Sequence, residues 1–224
     1  MTPEPRTVQL YFDPLSPYVW LAFKRLDELK AAGLSIDCRP VLLAGLLNAH
    51  GQKGPGEIPA KRAYIFADVL RQAATRGYSF QGPPSHPFNP LRALRMCIAV
   101  DDAEQRLRFG RALVEAAWDT GEDLSDPPTL DRIAERCGLG GAQLGAAAER
   151  PEIKTRLLEA SNAAIAAGIF GVPSFVYEKE LFWGEDRIDA LLWRLHHPAG
   201  DNELLSDFLS RGASAQRRVP GSQP

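Results

Sequence analysis

A serine at the start of the first predicted helix is the residue most able to take part in chemistry. Ser16 is followed by Pro17, and a serine N-cap before a proline is a strong helix-start signal. The hydroxyl would therefore lie in the positive partial field of a helix N-terminus, where anions such as a thiolate are stabilised. A hydrogen bond to the charged form lowers the pKa of a thiol. Ser16 can thus be a helix cap only, or it can activate a bound thiol.

A second candidate is the backbone of Val172 and Pro173, within the sequence GVPSF. A proline directly before a predicted strand is either an ordinary trans residue or a cis proline, and the local sequence does not separate these. In the cis form, the N–H and C=O groups of Val172 would face outward. They could then pair with a short extended peptide, as in strand addition.

Two polar segments could hold the charged ends of such a ligand. Glu185 and Asp186 precede the last predicted helix, where acids offset the helix dipole and where backbone N–H groups could receive a carboxylate. The Gly- and Pro-rich segment 51–61 carries Gln52, Lys53 and Lys61. These side chains are either solvated or available to donate to a ligand carboxylate.

Other side chains could line a substrate pocket, although each also has a purely structural interpretation. They are Tyr18, Tyr64, Asn89 and Arg92, of which the arginine would suit an anionic substrate. The four histidines show no HxH or HxxxH spacing, so a catalytic metal is not expected. No nucleophile elbow surrounds Ser16, and a Ser-His-Asp hydrolase is therefore not supported.

Composition excludes several classes of protein. A formal net charge of −2 favours neither a nucleic-acid surface nor an anionic membrane. The three cysteines are far apart in sequence and form no CxxC pair, which suits a reducing cytoplasm. The N-terminus lacks the pattern of a signal peptide, and no apolar stretch reaches the roughly 20 residues needed to span a membrane.

The predicted elements form an α/β domain with an all-helical insertion. Strands are predicted at 7–12, 34–41, 174–178 and 180–183, with one helix from Ser16 to Gly33 and another at 185–196. Between them lie a loop at 46–59 and helices near 60–76, 89–100, 102–120, 128–138, 141–149 and 151–167. The predicted domains are 1–45 with 168–197, the insertion 46–167, and a tail 198–224. A short helical turn is expected at 201–209, and the remainder of the tail is expected to be disordered.

Five segments together resemble the 2-hydroxychromene-2-carboxylate isomerases, relatives of kappa-class glutathione transferases and DsbA-like proteins. They are YFDPLSPYVWLA, GQKGPGEIPAK, NPLRALR, GIFGVPSFV and FWGEDRID, in the family's order between residues 7 and 196. The resemblance implies a thioredoxin-like fold with a helical insertion, glutathione as cofactor and a homodimer.

The resemblance also implies roles for individual residues. Ser16 stands where the family's sulfur-activating serine stands, and Val172 before Pro173 matches the backbone clamp on the cysteinyl unit. The remaining glutathione-binding positions are Gln52, Lys61, Glu185 and Asp186. Gln52 and Glu185 depart from the family pattern, in which asparagine is common at the first position and a small or amide residue occurs at the second.

The implied reaction is the glutathione-dependent interconversion of 2-hydroxychromene-2-carboxylate and trans-o-hydroxybenzylidenepyruvate. Both compounds carry a carboxylate, for which Arg92 and Lys53 are candidate partners. A kappa-type glutathione transferase or peroxidase and a non-enzymatic glutathione-binding protein remain as alternatives. Dithiol–disulfide exchange is excluded at the start of the first helix, because residues 16–19 read SPYV and hold no sulfur.

Overall fold

Four strands form one mixed sheet at the centre of the main unit. The computed structural model describes residues 6–200, 202–212 and 214–215. The strands are β1 (Arg6–Phe12), β2 (Leu34–Pro40), β3 (Ser174–Tyr177) and β4 (Glu180–Trp183). The order across the sheet is β2-β1-β3-β4, with β1 parallel to β2 and antiparallel to β3. A parallel pair needs a crossover connection, which the first two helices supply.

Four helices lie in about the first third of the chain, and two of them carry candidate site residues. They are α1 (Pro17–Lys24), α2 (Leu26–Ala31), α3 (Leu43–Ala49) and α4 (Pro59–Arg76). Two short 3-10 turns cover Pro55–Glu57 and Glu185–Arg187. The apolar face of α1 is fully buried, and Trp20 and Phe23 are among its largest side chains.

Five helices follow in the long segment between β2 and β3. They are α5 (Leu91–Ala99), α6 (Ala103–Trp118), α7 (Pro127–Arg136), α8 (Gly141–Ala147) and α9 (Pro151–Ala166). Helices α5, α6 and α9 each contact β2, so this segment shares the core of the sheet. Whether 46–167 is a separate domain stays a prediction.

Two further helices lie near the C-terminus, α10 (Ile188–Arg194) and α11 (Glu203–Ser210). Residues up to Leu192 belong to one compact unit, and a second unit begins at Trp193. Residues 213 and 216–224, which lie in the predicted tail, are outside the described residues. Helix α11 replaces the short turn that was predicted at 201–209.

The predicted elements occur in the predicted order, with three differences: one predicted helix is split, α3 was not predicted, and one helix begins later. The helix predicted from Ser16 to Gly33 is interrupted at Arg25, which caps the end of α1 and the start of α2. The loop predicted at 46–59 begins later, because its first four residues complete α3. The helix predicted at 185–196 begins as a 3-10 turn and becomes α-helical at Ile188.

Neither a membrane span nor a metal cluster is found among the described residues. No described helix is long and apolar enough to cross a bilayer. Likewise, no group of three or more metal-ligating side chains occurs in the part of the chain that the structure describes.

Candidate active site

Ser16 occupies the tip of α1 with its hydroxyl unused by the helix. It is the N-cap residue, with an extended backbone and no capping hydrogen bond from its side chain. Its own N–H donates to the carbonyl of Asp13 at 3.1 Å, and the residue is only 7% exposed. Pro17 brings no N–H group, and the N–H of Tyr18 has no partner among the described residues. A buried hydroxyl and an unpaired N–H therefore lie together at a helix start, where an anion is favoured.

The Val172–Pro173 peptide bond is cis, so of the two forms left open by the sequence the structure has the cis form. Within the described residues, neither the N–H nor the C=O of Val172 has a hydrogen-bond partner. Strand β3 pairs Ser174 with Tyr11 near the end of β1. Because antiparallel pairing runs in opposite directions, Val172 lies beside the turn that carries Ser16.

Tyr18 links the start of α1 to two acidic side chains. Its hydroxyl donates to Oδ2 of Asp68 at 3.1 Å. Burial, together with the negative charges of Asp68 and Asp186, raises the pKa of the Tyr18 phenol well above its usual range. Tyr64 is 63% exposed and adds to the same effect on the phenol. The site thus gathers two carboxylates that would attract a ligand ammonium group.

Glu185 and Asp186 are adjacent in sequence but have different surroundings. Glu185 is 2% exposed, and its Oε1 accepts hydrogen bonds from Arg76 at 2.7 Å and Arg25 at 3.2 Å. Asp186 is exposed, and its carboxylate pairs with Arg187 at 3.2 Å. The N–H groups of both acids have no partner among the described residues. The Glu185 carboxylate is therefore occupied, whereas the two N–H groups and Asp186 are available.

The segment 51–61 approaches the turn that carries Ser16 through His86, which lies between them. A Cβ atom added to Gly56 would be 3.3 Å from Cε1 of His86, and Nε2 of His86 is 3.1 Å from the carbonyl of Leu15. The polar side chains of this segment are exposed; they are Gln52, Lys53 and Lys61. The segment is thus next to the site, with its cationic side chains in solvent.

Asn89 and Arg92 have structural partners away from this cluster. Oδ1 of Asn89 accepts from the N–H of Leu91, the first residue of α5, at 3.0 Å. Nη1 of Arg92 donates to Glu149 at 2.9 Å, and the Arg92 side chain packs against Gly145 of α8. Among the described residues, no hydrogen bond or ion pair joins either residue to Ser16 or Tyr18, so their place in a substrate pocket stays a prediction.

Three residues of the site were not found from the sequence. Asp68 lies on α4, Asp13 binds the N–H of Leu15, and His86 binds the C=O of Leu15. Asp68 lies seven residues after Lys61, on the same face of α4, and helical spacing could have identified it. His86 comes from a loop remote in sequence, and nothing local predicts that it reaches the turn.

Comparison with known proteins identifies the family. The profile of the DSBA-like thioredoxin domain matches residues 7–196. The chain belongs to the DsbA-like thioredoxin family. The predicted thioredoxin-like fold is therefore confirmed, together with the α/β class of the sheet and helices.

Relatives of this DsbA-like protein include two kinds of enzyme. Glutathione S-transferase kappa 1 of Homo sapiens is 31% identical over 212 residues, covering 85% of this chain and 91% of the relative. The 2-hydroxychromene-2-carboxylate isomerase of Sphingobium xenophagum is 29% identical over 189 residues, covering 83% and 96%. A solved structure of a 2-hydroxychromene-2-carboxylate isomerase shares the fold, with a TM-score of 0.80 at 24% identity over 92% of this chain and all of that one. The resemblance inferred from the sequence is confirmed.

This DsbA-like chain lacks the sulfur chemistry of a disulfide oxidoreductase at its first helix. Residues 16–19 are Ser-Pro-Tyr-Val, and the three cysteines are free and buried elsewhere: Cys38, Cys97 and Cys137. Burial raises the pKa of each of these thiols, which keeps them in the unreactive protonated form.

Proposed function

We propose that the protein is a glutathione-dependent isomerase that interconverts 2-hydroxychromene-2-carboxylate and trans-o-hydroxybenzylidenepyruvate, or a related aromatic keto acid. The observation that carries the proposal is the uncapped, buried Ser16 hydroxyl beside the unpaired peptide group of Val172. A hydrogen-bond donor for sulfur and a backbone clamp for a short peptide are the two requirements of glutathione binding in this fold.

The residues around the site fit the charges of glutathione. The cysteinyl backbone would pair with the N–H and C=O of Val172, as a short added strand. The γ-glutamyl carboxylate would accept from the free N–H groups of Glu185 and Asp186, and its ammonium would face the carboxylates of Asp186 and Asp68. The glycyl carboxylate would meet the exposed side chains of the segment 51–61, which are Gln52, Lys53 and Lys61.

Ser16 would control the charge of the bound sulfur. When bound, glutathione supplies a thiolate that adds to the conjugated double bond, permits rotation about the resulting single bond and then leaves. The Ser16 hydroxyl donates a hydrogen bond to this anion. Together with the free N–H of Tyr18, it lowers the pKa of the glutathione thiol. Both are neutral donors, so the activation is moderate and the sulfur remains a good leaving group.

The substrate carboxylate requires a cationic partner in the pocket. Arg92 and Lys53 are proposed for this role, and Tyr18, Tyr64 and Asn89 are proposed to line the aromatic part. Among these, Tyr64 has the most accessible ring.

A kappa-type glutathione transferase, or a peroxidase of that type, is the second candidate. It is favoured by the 31% identity to the human kappa 1 transferase. The same thiolate would then attack a different electrophile and be consumed. We also propose a homodimer in a reducing cytoplasm, a compartment that the three free, buried cysteines support.

The proposal is tested by following glutathione during turnover. Purified protein is given the chromene carboxylate and, separately, a generic aryl halide. Isomerisation with full recovery of glutathione supports the isomerase, and loss of glutathione to a conjugate supports the transferase. In either case Ser16→Ala should bind glutathione and lose most turnover. Binding without turnover and without a lowered thiol pKa would instead indicate a non-enzymatic binder.

A further inference from the structure

The turn between β1 and α1 contains a buried acid that the proposed chemistry does not use. Asp13 is fully buried, and its two carboxylate oxygens accept from two separate backbone groups. Oδ1 accepts from the N–H of Leu15 at 3.0 Å, and Oδ2 accepts from the N–H of Leu43 at 2.9 Å. The carboxylate therefore ties the turn before Ser16 to the beginning of α3.

The next peptide unit of the turn, between Leu15 and Ser16, is held by an imidazole. Nε2 of His86 is 3.1 Å from the carbonyl oxygen of Leu15. Since a carbonyl can only accept, Nε2 must carry the proton in this bond. His86 also packs edge-on against Phe66, at 5.2 Å between ring centroids, and near Trp118 at 5.7 Å. These ring contacts leave the imidazole little freedom to rotate.

The carbonyl of the preceding residue is held as well. Nε1 of Trp118 donates to the oxygen of Pro14 at 2.9 Å. Three side chains from three separate parts of the chain thus fix the two residues before Ser16. Buried hydrogen bonds of this kind make a turn conformationally unique, because each broken bond would leave an unpaired polar group.

We infer that Asp13 and His86 are positioning residues that clamp the two peptide units on either side of Leu15 and so hold the Ser16 hydroxyl at the glutathione sulfur. The inference rests on the proposed function, since it assigns a purpose to the fixed direction of that hydroxyl. Both side chains bind backbone groups, so their effect on the sulfur is indirect. His86 acts on the planar unit that contains the Leu15 C=O and the Ser16 N–H, and Asp13 acts on the unit before it.

Two substitutions remove one side of the clamp each. His86→Phe keeps an aromatic ring but removes the donor to Leu15, and Asp13→Asn leaves one acceptor for two N–H groups. The thiolate absorbance of bound glutathione, followed against pH, should show a pKa raised by about one unit in each variant. Turnover should fall roughly tenfold, while the glutathione dissociation constant changes less than about threefold.

Two further variants separate positioning from general damage. His86→Gln retains an N–H donor at a similar reach and should restore most of the thiolate formation lost in His86→Phe. His197→Phe removes another histidine-to-carbonyl contact, the one from Nδ1 of His197 to Trp193 at 2.8 Å, and should leave the thiolate unchanged. Nitrogen-15 NMR of the unligated protein should show His86 as a single Nε2–H tautomer.

The outcomes distinguish the inference from the function on which it rests. A wild-type protein that binds no glutathione would overturn both. Wild-type thiolate formation that persists unchanged in folded His86→Phe and Asp13→Asn would overturn the clamp alone. A His86 imidazole protonated at Nδ1 only, or equal damage in His86→Gln and His86→Phe, would also overturn it.

Discussion

The turn at 13–16 and the segment 51–61 border the same site and are built in opposite ways. In the turn, the N–H and C=O of Leu15, the C=O of Pro14 and the N–H of Ser16 all have partners. In the segment 51–61, by contrast, the side chains that would meet a ligand lie in solvent.

This difference follows from what each region is proposed to bind. A hydrogen bond that lowers the pKa of a thiol depends on distance and direction, so its donor has to be held in place. A lysine attracts a carboxylate as a mobile point charge, and its position can vary without much loss. We therefore expect changes in the turn to affect the chemical step and changes in the segment to affect binding.

The largest effect on activity is expected for Ser16→Ala, and Lys61→Ala is the variant with which it is compared. Loss of the Ser16 donor should lower kcat by about 100-fold, as for other donors to a developing or bound anion, and should change the KM for glutathione little. Lys61→Ala should raise that KM several-fold with kcat nearly unchanged. Steady-state kinetics of both variants at varied glutathione check the comparison, and a similar loss of kcat in both would remove the distinction between the regions.

Substitutions of the neighbouring acids Glu185 and Asp186 should have different effects, the first on the stability of the fold and the second on glutathione binding. Glu185→Gln replaces the buried carboxylate that pairs with Arg25 and Arg76 by a neutral amide. Breaking a buried ion pair lowers the free energy of unfolding by about 3 kcal/mol or more. Asp186→Asn changes an exposed side chain, so unfolding should be unaffected while glutathione binds several-fold more weakly. Urea unfolding and calorimetric titration measure the two effects. Equal stability of Glu185→Gln and wild type would show that the cluster contributes nothing to folding.

Asp13 should make the stability depend on pH. Burial raises the pKa of its carboxyl from 3.8 to about 6, so between these values the folded state binds a proton that the unfolded state has lost. Stability from this group is therefore present at low pH and is lost as the pH rises through about 6, by up to about 3 kcal/mol. Relative to Asp13→Asn, the wild type should gain stability between pH 7 and pH 4.5 in urea unfolding. A constant difference between the two proteins over that range would contradict the assignment.

The smallest effect is expected at Arg92, on the substrate side. Arg92→Ala should raise the KM for a carboxylate substrate by a few-fold and leave glutathione binding unchanged. Arg111→Ala, which breaks a comparable surface pair with Asp27, is the matched control. An unchanged KM in Arg92→Ala would assign this side chain to its contact with Glu149 alone.

Much of the fold was predictable from the sequence because its signals are local. Ser16 followed by Pro17 marks a helix start, and Gly77 ends α4 in a left-handed conformation. The break at Arg25 was missed because the apolar periodicity continues through it. Helix α3, whose last four residues fall in the predicted loop, was missed because the glycines that follow obscure its end.

The sequence predicted only those site residues whose placement follows from the local pattern of the chain. Ser16, the Val172–Pro173 pair and the acids at 185–186 stand next to helix and strand ends, where local rules apply. Asp68 contacts Tyr18 of α1 and His86 contacts Leu15 in the turn before it, from 50 and 71 residues away in sequence. Helical spacing places Asp68 on the face of α4 that carries Lys61, but both contacts depend on tertiary packing. The buried role of Glu185 was hidden for the same reason, since its partners Arg25 and Arg76 come from two other helices.

In the proposed complex a fixed serine hydroxyl, and no cysteine of this chain, stabilises the sulfur anion of glutathione. A crystal structure of the protein with bound glutathione would test this directly. We expect Oγ of Ser16 within about 3.5 Å of the sulfur, with the cysteinyl backbone paired to Val172. A sulfur bound beyond hydrogen-bond reach of Ser16, or a tripeptide held elsewhere on the protein, would contradict it.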